Sequence, residues 1–284
     1  MKISIVIPSY NRGHRIIECI ESVLNQSYCN KEIILIDNNS NDDTKSIVIN
    51  KYPEVKYFFE IKQGVGHARN LGIEKSTGDW IHILDSDNKF SSKNSLEHLV
   101  SLIKENKNNC DVILTSNVNE NKKFISYSPL FDQTIDNSIY MKTKGEFSVT
   151  ASSKWYKENL HPIVKNVIHE LGLVIYFKAS LKNRMYISSS VIQQYDTSEG
   201  DRVSSIKKNI DQCYDLFIFY SMFLDRYSSK LDFKNYIIFH LKTIIFSLIV
   251  NDSKKYKFHE FPFYILRLIL RIIPSKICLK LLNT

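Results

Sequence analysis

The sequence predicts an α/β protein: a mainly parallel sheet flanked by helices, with a helical C-terminal extension. Five short runs rich in branched and aromatic residues read as strands: ISIVI (3–7), EIILI (32–36), VKYFF (55–59), WIHIL (80–84) and DVILT (111–115). Between most of them lie stretches with helical apolar spacing, and such alternation is the pattern of parallel βαβ units. A length of 284 residues with 43% hydrophobic and 24% charged residues is enough for a large core and excludes a disordered or collagen-like chain.

The elements follow in order. ISIVI offers only five residues before Pro8, too short for a signal-peptide core, so a cytoplasmic location is expected. Residues 14–26 place Ile16, Ile17, Ile20, Val23 and Leu24 at helical spacing, and residues 92–106 do the same with Leu96, Leu99, Val100 and Ile103. From about 120 to 153 a Ser/Asn/Lys-rich stretch reads as loops and a lid. IHELGLVIYFKASLKNRMYIS (168–188) has the form of an amphipathic helix followed by a strand. Residues 204–229 and 233–250 read as two helices and 256–273 as a third, ended by Pro274. The stretch 233–250 approaches bilayer-spanning length, but Lys234, His240 and Lys242 interrupt it. A charge near the middle of a span costs roughly 2.5–3.5 kcal/mol, so a packing or interfacial helix is expected.

Five cysteines form no CxxC pair and their odd number argues against a secreted disulfide framework, which points to a reducing compartment. The net charge of +8 is concentrated at the end: residues 254–284 hold seven Lys/Arg and one Glu, a balance of +6 that leaves +2 for the rest. Without a basic patch before the tail, nucleic acid is not an expected partner.

In parallel sheets ligands bind beyond the carboxyl ends of the strands. The residues there are Pro8, Ser9, Tyr10, Asn11 and Arg12 after the first strand, Asp37, Asn38 and Asn39 after the second, and Asp85, Ser86, Asp87 and Asn88 after the fourth. Two carboxylates on one tight loop can share a hard divalent cation. The same DSD triplet also suits a helix N-cap or a solvated turn, so its chemistry rests on its company.

That company is SIVIPSYNR, EIILIDNNSNDDT, QGVGHARNLGIEKSTGDW and ILDSDN, in that order and at strand ends. With these motifs the sequence resembles glycosyltransferase family 2, whose members adopt the Rossmann-like, nucleotide-binding GT-A fold. The likeness is close over residues 1–90, followable to about 205 and absent in the tail. It implies a GT-A domain over 1–205, with a nucleotide-binding half (1–115) and an acceptor half (116–205), before a helical, basic, amphipathic region over 206–284.

The resemblance implies an inverting transferase that moves a hexose or N-acetylhexosamine from a UDP-sugar to a glycan hydroxyl. Pro8, Ser9 and Tyr10 would then frame the base, and Asp37 would accept the imide N–H of uracil. Arg12 and Arg69 would sit with the nucleotide sugar, Arg69 against a loop carboxylate or the diphosphate. Asp85 would face the ribose and Asp87, with Asp85, would bind Mn²⁺ or Mg²⁺. The family's catalytic base is an acid opening a helix in the second half, and here the matching position holds Glu170, preceded by His169 where another acid is usual. Glu170 is therefore the expected base, with His169 as the alternative. Arg202, in YDTSEGDRVSS, matches a loop that closes over the donor.

In YILRLILRIIP, Arg267 and Arg271 share one helical face among large apolar residues. Such a helix suits an anionic membrane surface, where each cation contributes about 1 kcal/mol, or else docking on the body or in a homodimer. A surface-bound enzyme fits a glycan acceptor linked to undecaprenyl diphosphate in polysaccharide or O-antigen assembly, on the inner face of the cytoplasmic membrane. A non-catalytic nucleotide-sugar-binding subunit and a nucleotidyltransferase are the alternatives.

Overall fold

The computed structural model of the chain describes residues 1–164, 172–196 and 210–249. These fall into two compact units, one made of 1–163 with 172–196 and the other containing 210–249. The boundary expected near 205 and the tail from 250 lie outside the described residues.

In the first unit β1 (Ile3–Ser9), β2 (Lys31–Asp37), β3 (Val55–Phe59) and β4 (Trp80–Ile83) run parallel in the order β3-β2-β1-β4. Every residue of β1 is buried, as befits a central parallel strand covered on both faces. The connections are α1 (Arg15–Leu24), α2 (Thr44–Lys51) and α3 (Val65–Lys75). Then come β5 (Lys89–Phe90), α4 (Ser95–Asn106) and β6 (Val112–Val118).

The stretch 120–153, expected as loops and a lid, is the main correction. It forms β7 (Ser126–Tyr127), β8 (Gln133–Ile135), α5 (Asn137–Tyr140), β9 (Lys144–Gly145) and β10 (Phe147–Ser152). β10 lies inside the sheet, antiparallel to β4 on one side and β6 on the other. Its buried positions include Ser148 and Thr150, whose hydroxyls are matched by Asn117 and His82 across the sheet. Small polar side chains that find partners only in the fold give no apolar alternation to read. After α6 (Ser153–Glu158), the helix and strand expected over 168–188 are α7 (Gly172–Leu181) and β11 (Met185–Gln194). β11 lies parallel to β6 and antiparallel to β5 and β8, completing a mixed nine-stranded sheet. β7 and β9 pair separately.

On one face, Ile3, Ile5 and Ile7 of β1 and Ile33 and Leu35 of β2 pack with Ile16, Ile20 and Val23 of α1 and Leu96, Leu99 and Ile103 of α4. Side chains of this size contribute about 1.5–3 kcal/mol each when fully buried. On the other face α3 lies so close that a Cβ on Gly72 would run into Val6 Cγ1. At the amino-terminal edge of the sheet, the buried Glu32 carboxylate receives Lys2 Nζ (3.0 Å), Lys56 Nζ (2.8 Å), Ser4 Oγ (2.5 Å) and Thr77 N (2.7 Å). Burial alone would raise its pKa, but these donors together hold it well below the usual carboxylate range.

In the second unit α8 (Ile210–Tyr227) packs on α9 (Phe233–Ile249). The contact is aromatic: Phe223 and Tyr220 meet Phe239 at ring separations of 4.8 and 5.0 Å, and Lys242 Nζ lies 5.4 Å over the Tyr220 ring. α9 is thus a packing helix, and among the described residues no helix is long and apolar enough to cross a membrane.

Two outcomes follow for stability. Gly72→Val should destabilise the fold by roughly 1–3 kcal/mol in urea unfolding, by prising α3 off β1. Glu32→Gln should cost roughly 1–3 kcal/mol at neutral pH. Because the folded pKa of Glu32 is depressed, its contribution is complete above the ordinary value of 4.5 and is lost as pH falls below it. Wild type and variant should therefore converge in acid, and a gap that persists there would contradict the assignment.

Candidate active site

The parallel register sets Ser9 beside Asp37 and Val6 beside Ile83, so the carboxyl ends of β1, β2 and β4 open on one edge of the sheet. The segments that leave them are tied together. Asn11 N donates to Ser40 Oγ (2.8 Å) and Asn41 N to Asn11 Oδ1 (2.9 Å). Arg12 N and Gly13 N both donate to Thr44 Oγ1, at 3.0 and 2.8 Å. Gly13 holds a positive φ of 40°, and a Cβ there would meet the Asp43 carboxylate.

β4 ends at Ile83, and after Leu84 the chain turns, with Asn88 N donating to Asp85 O (2.9 Å). The turn exposes two carboxylates, and each meets an arginine. Arg69, from α3, donates through Nη2 to Asp85 Oδ1 at 2.8 Å. Arg12, from the β1–α1 segment, donates through Nη2 to Asp87 Oδ2 at 3.1 Å and through Nε to Ser86 Oγ at 3.2 Å. The Arg69 side chain is 7% exposed, while that of Asp85 is 40% exposed. The Asp87 carboxyl is pushed up from its ordinary pKa by burial first and then by Asp85, against the lowering effect of Arg12.

Asp37 is 1% exposed and lies within the edge rather than on it. Tyr57 Oη donates to its Oδ2 (2.6 Å) and Ser40 N to its Oδ1 (2.8 Å). Burial, together with the Asp37 hydrogen bond and charge, drives the Tyr57 hydroxyl well above its ordinary value. Pro8 and Ser9 are buried, and Tyr10 is 46% exposed. Of the residues expected in the site, Pro8, Ser9, Tyr10, Arg12, Asp37, Arg69, Asp85 and Asp87 are thus carried by these strand ends and α3. His169, Glu170 and Arg202 lie outside the described residues.

Three participants were passed over in the sequence. Tyr57 is one, although period-two matching of Val55 and Tyr57 with Ile33, Leu35 and Asp37 would have put it on the face of Asp37. Asp196, just after β11, is another: its N–H donates to Asn88 Oδ1 (3.2 Å) and its charge helps raise Asp87. The third is His82, three residues before Asp85. Its Nδ1 lies 2.7 Å from Thr150 Oγ1 and its Nε2 lies 2.6 Å from Gln193 Nε2, while its ring stacks on Phe90. With the amide as donor to Nε2, the ring proton sits on Nδ1. No sequence signal marks this bridge, because its partners come from β10 and β11, 68 and 111 residues away.

The sequence profile described as "Glycosyl transferase family 2" matches residues 4–157, more than half of the 284. The chain belongs to glycosyl transferase family 2. Among curated members, an uncharacterized glycosyltransferase of Rickettsia conorii is 34% identical over 166 residues, covering 57% of this chain and 27% of that protein. Poly(ribitol-phosphate) beta-N-acetylglucosaminyltransferase TarP of Staphylococcus aureus is 34% identical over 152 residues, 49% of this chain and 46% of its own. The GalNAc(5)-diNAcBac-PP-undecaprenol beta-1,3-glucosyltransferase of Campylobacter jejuni is 36% identical over 96 residues, 32% of this chain and 31% of its own. The matched stretch therefore spans less than half of each relative.

Among solved structures, S. aureus TarS 1-349 in complex with UDP-GlcNAc superposes with a TM-score of 0.62 at 19% identity, covering 98% of this chain and 83% of that one. The mannosyltransferase PcManGT from Pyrobaculum calidifontis in complex with GDP-Man and Mn²⁺ gives 0.59 at 15% identity, covering 98% and 84%. At these identities the likeness establishes the fold, which is GT-A.

In this family 2 chain the His82 bridge makes a direct prediction. Burial, against the opposing charge of Asp85, lowers the His82 pKa to about 3. The unfolded ring takes up a proton below about 6.5 and the folded ring does not, so His82 removes stability progressively as pH falls from about 6.5 towards about 3. Its NMR ring resonances should stay flat from about pH 5 to 8, where ordinary histidines titrate. A midpoint near neutrality would contradict the buried, neutral bridge.

Proposed function

We propose that this chain transfers a hexose or N-acetylhexosamine from a UDP-sugar to a glycan hydroxyl, with inversion, in the assembly of a surface polysaccharide. The observation that carries the reading is the joining of Asp85 and Asp87 to Arg69 and Arg12 at the carboxyl ends of parallel strands in a family 2 chain. It is supported by the UDP-GlcNAc held by TarS 1-349 and by the N-acetylglucosaminyl and glucosyl transfers named for TarP, onto poly(ribitol-phosphate), and for the Campylobacter relative. The last of these names an undecaprenol-linked glycan, which suits the lipid-linked acceptor suggested by the basic, apolar tail. The tail would then hold the enzyme at an anionic membrane surface.

A divalent cation fits the residues present. Asp85 and Asp87 supply hard oxygen donors, and Asp87 carries a charge that its surroundings disfavour. Among the described residues no group of three or more His, Cys, Asp or Glu is arranged to hold a metal by itself. One or two carboxylates completed by substrate phosphates is the usual arrangement for Mg²⁺. Asp87, with Asp85, would hold Mn²⁺ or Mg²⁺, which when bound supplies Lewis-acid stabilisation of the departing diphosphate.

The chain's own residues do the rest. Tyr10 would offer its ring to the base, and Asp37, buried beneath the edge and held by Tyr57 and Ser40, would accept the imide N–H once the base displaces one of these donors. Arg69 holds Asp85 towards the ribose. Arg12 would meet the diphosphate, for which a guanidinium fork is well shaped. Glu170, with His169 as the alternative, takes the proton from the attacking hydroxyl, a contribution of typically 10²–10⁴ in rate. Arg202 would meet the diphosphate.

The test is an assay of UDP-sugars against glycan and lipid-linked acceptors, read by UDP release and by the anomer of the product in NMR. UDP release with the inverted anomer is expected. Asp87→Asn should lower kcat/KM by about 10³-fold, corresponding to several kcal/mol of transition-state stabilisation. Glu170→Gln should abolish transfer with donor binding nearly intact. Release of sugar 1-phosphate from the UDP-sugar, or of pyrophosphate when UTP and a sugar 1-phosphate are supplied instead, would replace the reading with a nucleotidyltransferase, and UDP-sugar binding without turnover would replace it with a binding subunit.

A further inference from the structure

The two arginines on the acidic turn are held in different ways. Arg69 comes from inside α3, and its side chain is 7% exposed; removing it from Asp85 would strand a charge in the interior. Arg12 belongs to a connecting segment, and its side chain is 14% exposed against an Asp87 that is 28% exposed. Its backbone is nevertheless fixed. The N–H groups of Asn11, Arg12 and Gly13 are all taken by Ser40 and Thr44, and Asn11 and Gly13 on either side hold positive φ values of 49° and 40°. A long, flexible side chain is thus mounted on a fixed anchor, with its head on Asp87.

We infer that Arg12 is a tethered stand-in for the divalent cation at Asp87, and that a nucleoside diphosphate, by drawing the guanidinium onto its phosphates, makes metal and nucleotide bind cooperatively. The inference rests on the metal and donor reading above and goes beyond it in assigning the coupling to one residue.

The chemistry runs in a closed cycle. With no nucleotide bound, the guanidinium lies 3.1 Å from Asp87 Oδ2 and also holds Ser86 Oγ, so it occupies the approach to the carboxylate that a cation needs. A metal on the same oxygens would sit within a few ångströms of a like charge, and its affinity is reduced accordingly. A diphosphate offers the fork a bidentate partner of higher charge. Once Arg12 has moved to it, Asp87 has lost its own cationic partner while Asp85, still paired with Arg69, and Asp196 remain near it, which favours a metal. Each ligand therefore improves the site for the other, and linkage requires the effect to be reciprocal. Arg69 stays on Asp85 throughout and keeps the turn in place.

The experiment measures Mn²⁺ binding to the full chain by electron paramagnetic resonance of the free ion, without nucleotide and with saturating UDP. Wild type, Arg12→Gln and Arg12→Lys are compared, with no turnover involved. In wild type UDP should tighten Mn²⁺ by a factor in the range of about 5–150. In Arg12→Gln, Mn²⁺ alone should bind about tenfold more tightly than to wild type, and the tightening by UDP should shrink by about the same factor, leaving only the part that the phosphates supply by ligating the metal. Arg12→Lys keeps the charge without the fork and should lie between them. If Arg12 only braced the turn, Arg12→Gln would weaken Mn²⁺ equally with and without UDP and preserve the ratio, which would overturn the inference. Cooperative Mn²⁺ and UDP binding that is the same in all three chains would overturn the role of Arg12 and leave the donor site standing. Failure of wild type to bind Mn²⁺ even with UDP would overturn the metal reading and this inference together.

Discussion

The structure depends on keeping concentrated negative charge at the end of a buried strand. Asp85 and Asp87 follow the apolar β4 with one residue between them, and Asp196 adds its charge nearby. Such a group of carboxylates would repel itself and tend to take up protons. Two guanidinium groups oppose the repulsion, one brought from α3 to Asp85 and one from the segment after β1 to Asp87. The turn is stable because its charges are paired, and chemically useful because one of the pairs lies at the open edge.

The rest of the fold is organised to deliver those partners. α3 can bring Arg69 under the turn only because Gly72 lets the helix lie against Val6 and Ile36. Arg12 reaches Asp87 because β1 pairs directly with β4 in parallel register and because Ser40 and Thr44, from beyond β2, grip its backbone. Behind the turn, the neutral His82 joins β4 to β10 and β11 through Thr150 and Gln193, three strands of quite different sequence position. The Glu32 cluster does comparable work at the far end of the same strands and involves none of the site residues.

Much of this was legible in the sequence, for identifiable reasons. β1, β2 and β4 announce themselves because central parallel strands are apolar on both faces, the edge strand β3 because it is rich in branched and aromatic residues, and the motifs after them because ligands bind at strand ends in such sheets. β10 was missed because its inward positions are Ser148, Thr150 and Ala151, whose partners are supplied by other strands. Asp37 was seen but not its setting, since the Tyr57 that fixes it lies twenty residues on, in a strand that read only as apolar. The pairing of Arg69 with a loop carboxylate was expected, whereas that of Arg12 with Asp87 was not, because 75 residues separate them and only the β1–β4 register brings them together.

On the function proposed, the edge formed by β1, β2 and β4 is a nucleoside-diphosphate site completed by a divalent cation on Asp87. Calorimetric titration of UDP into the full chain tests it most directly, in Mn²⁺, in EDTA, and again with Asp87→Ala in Mn²⁺. Tight binding that is lost both in EDTA and in the variant is the result this account requires. No binding by a folded wild-type chain in Mn²⁺, or binding indifferent to both the metal and Asp87, would contradict it.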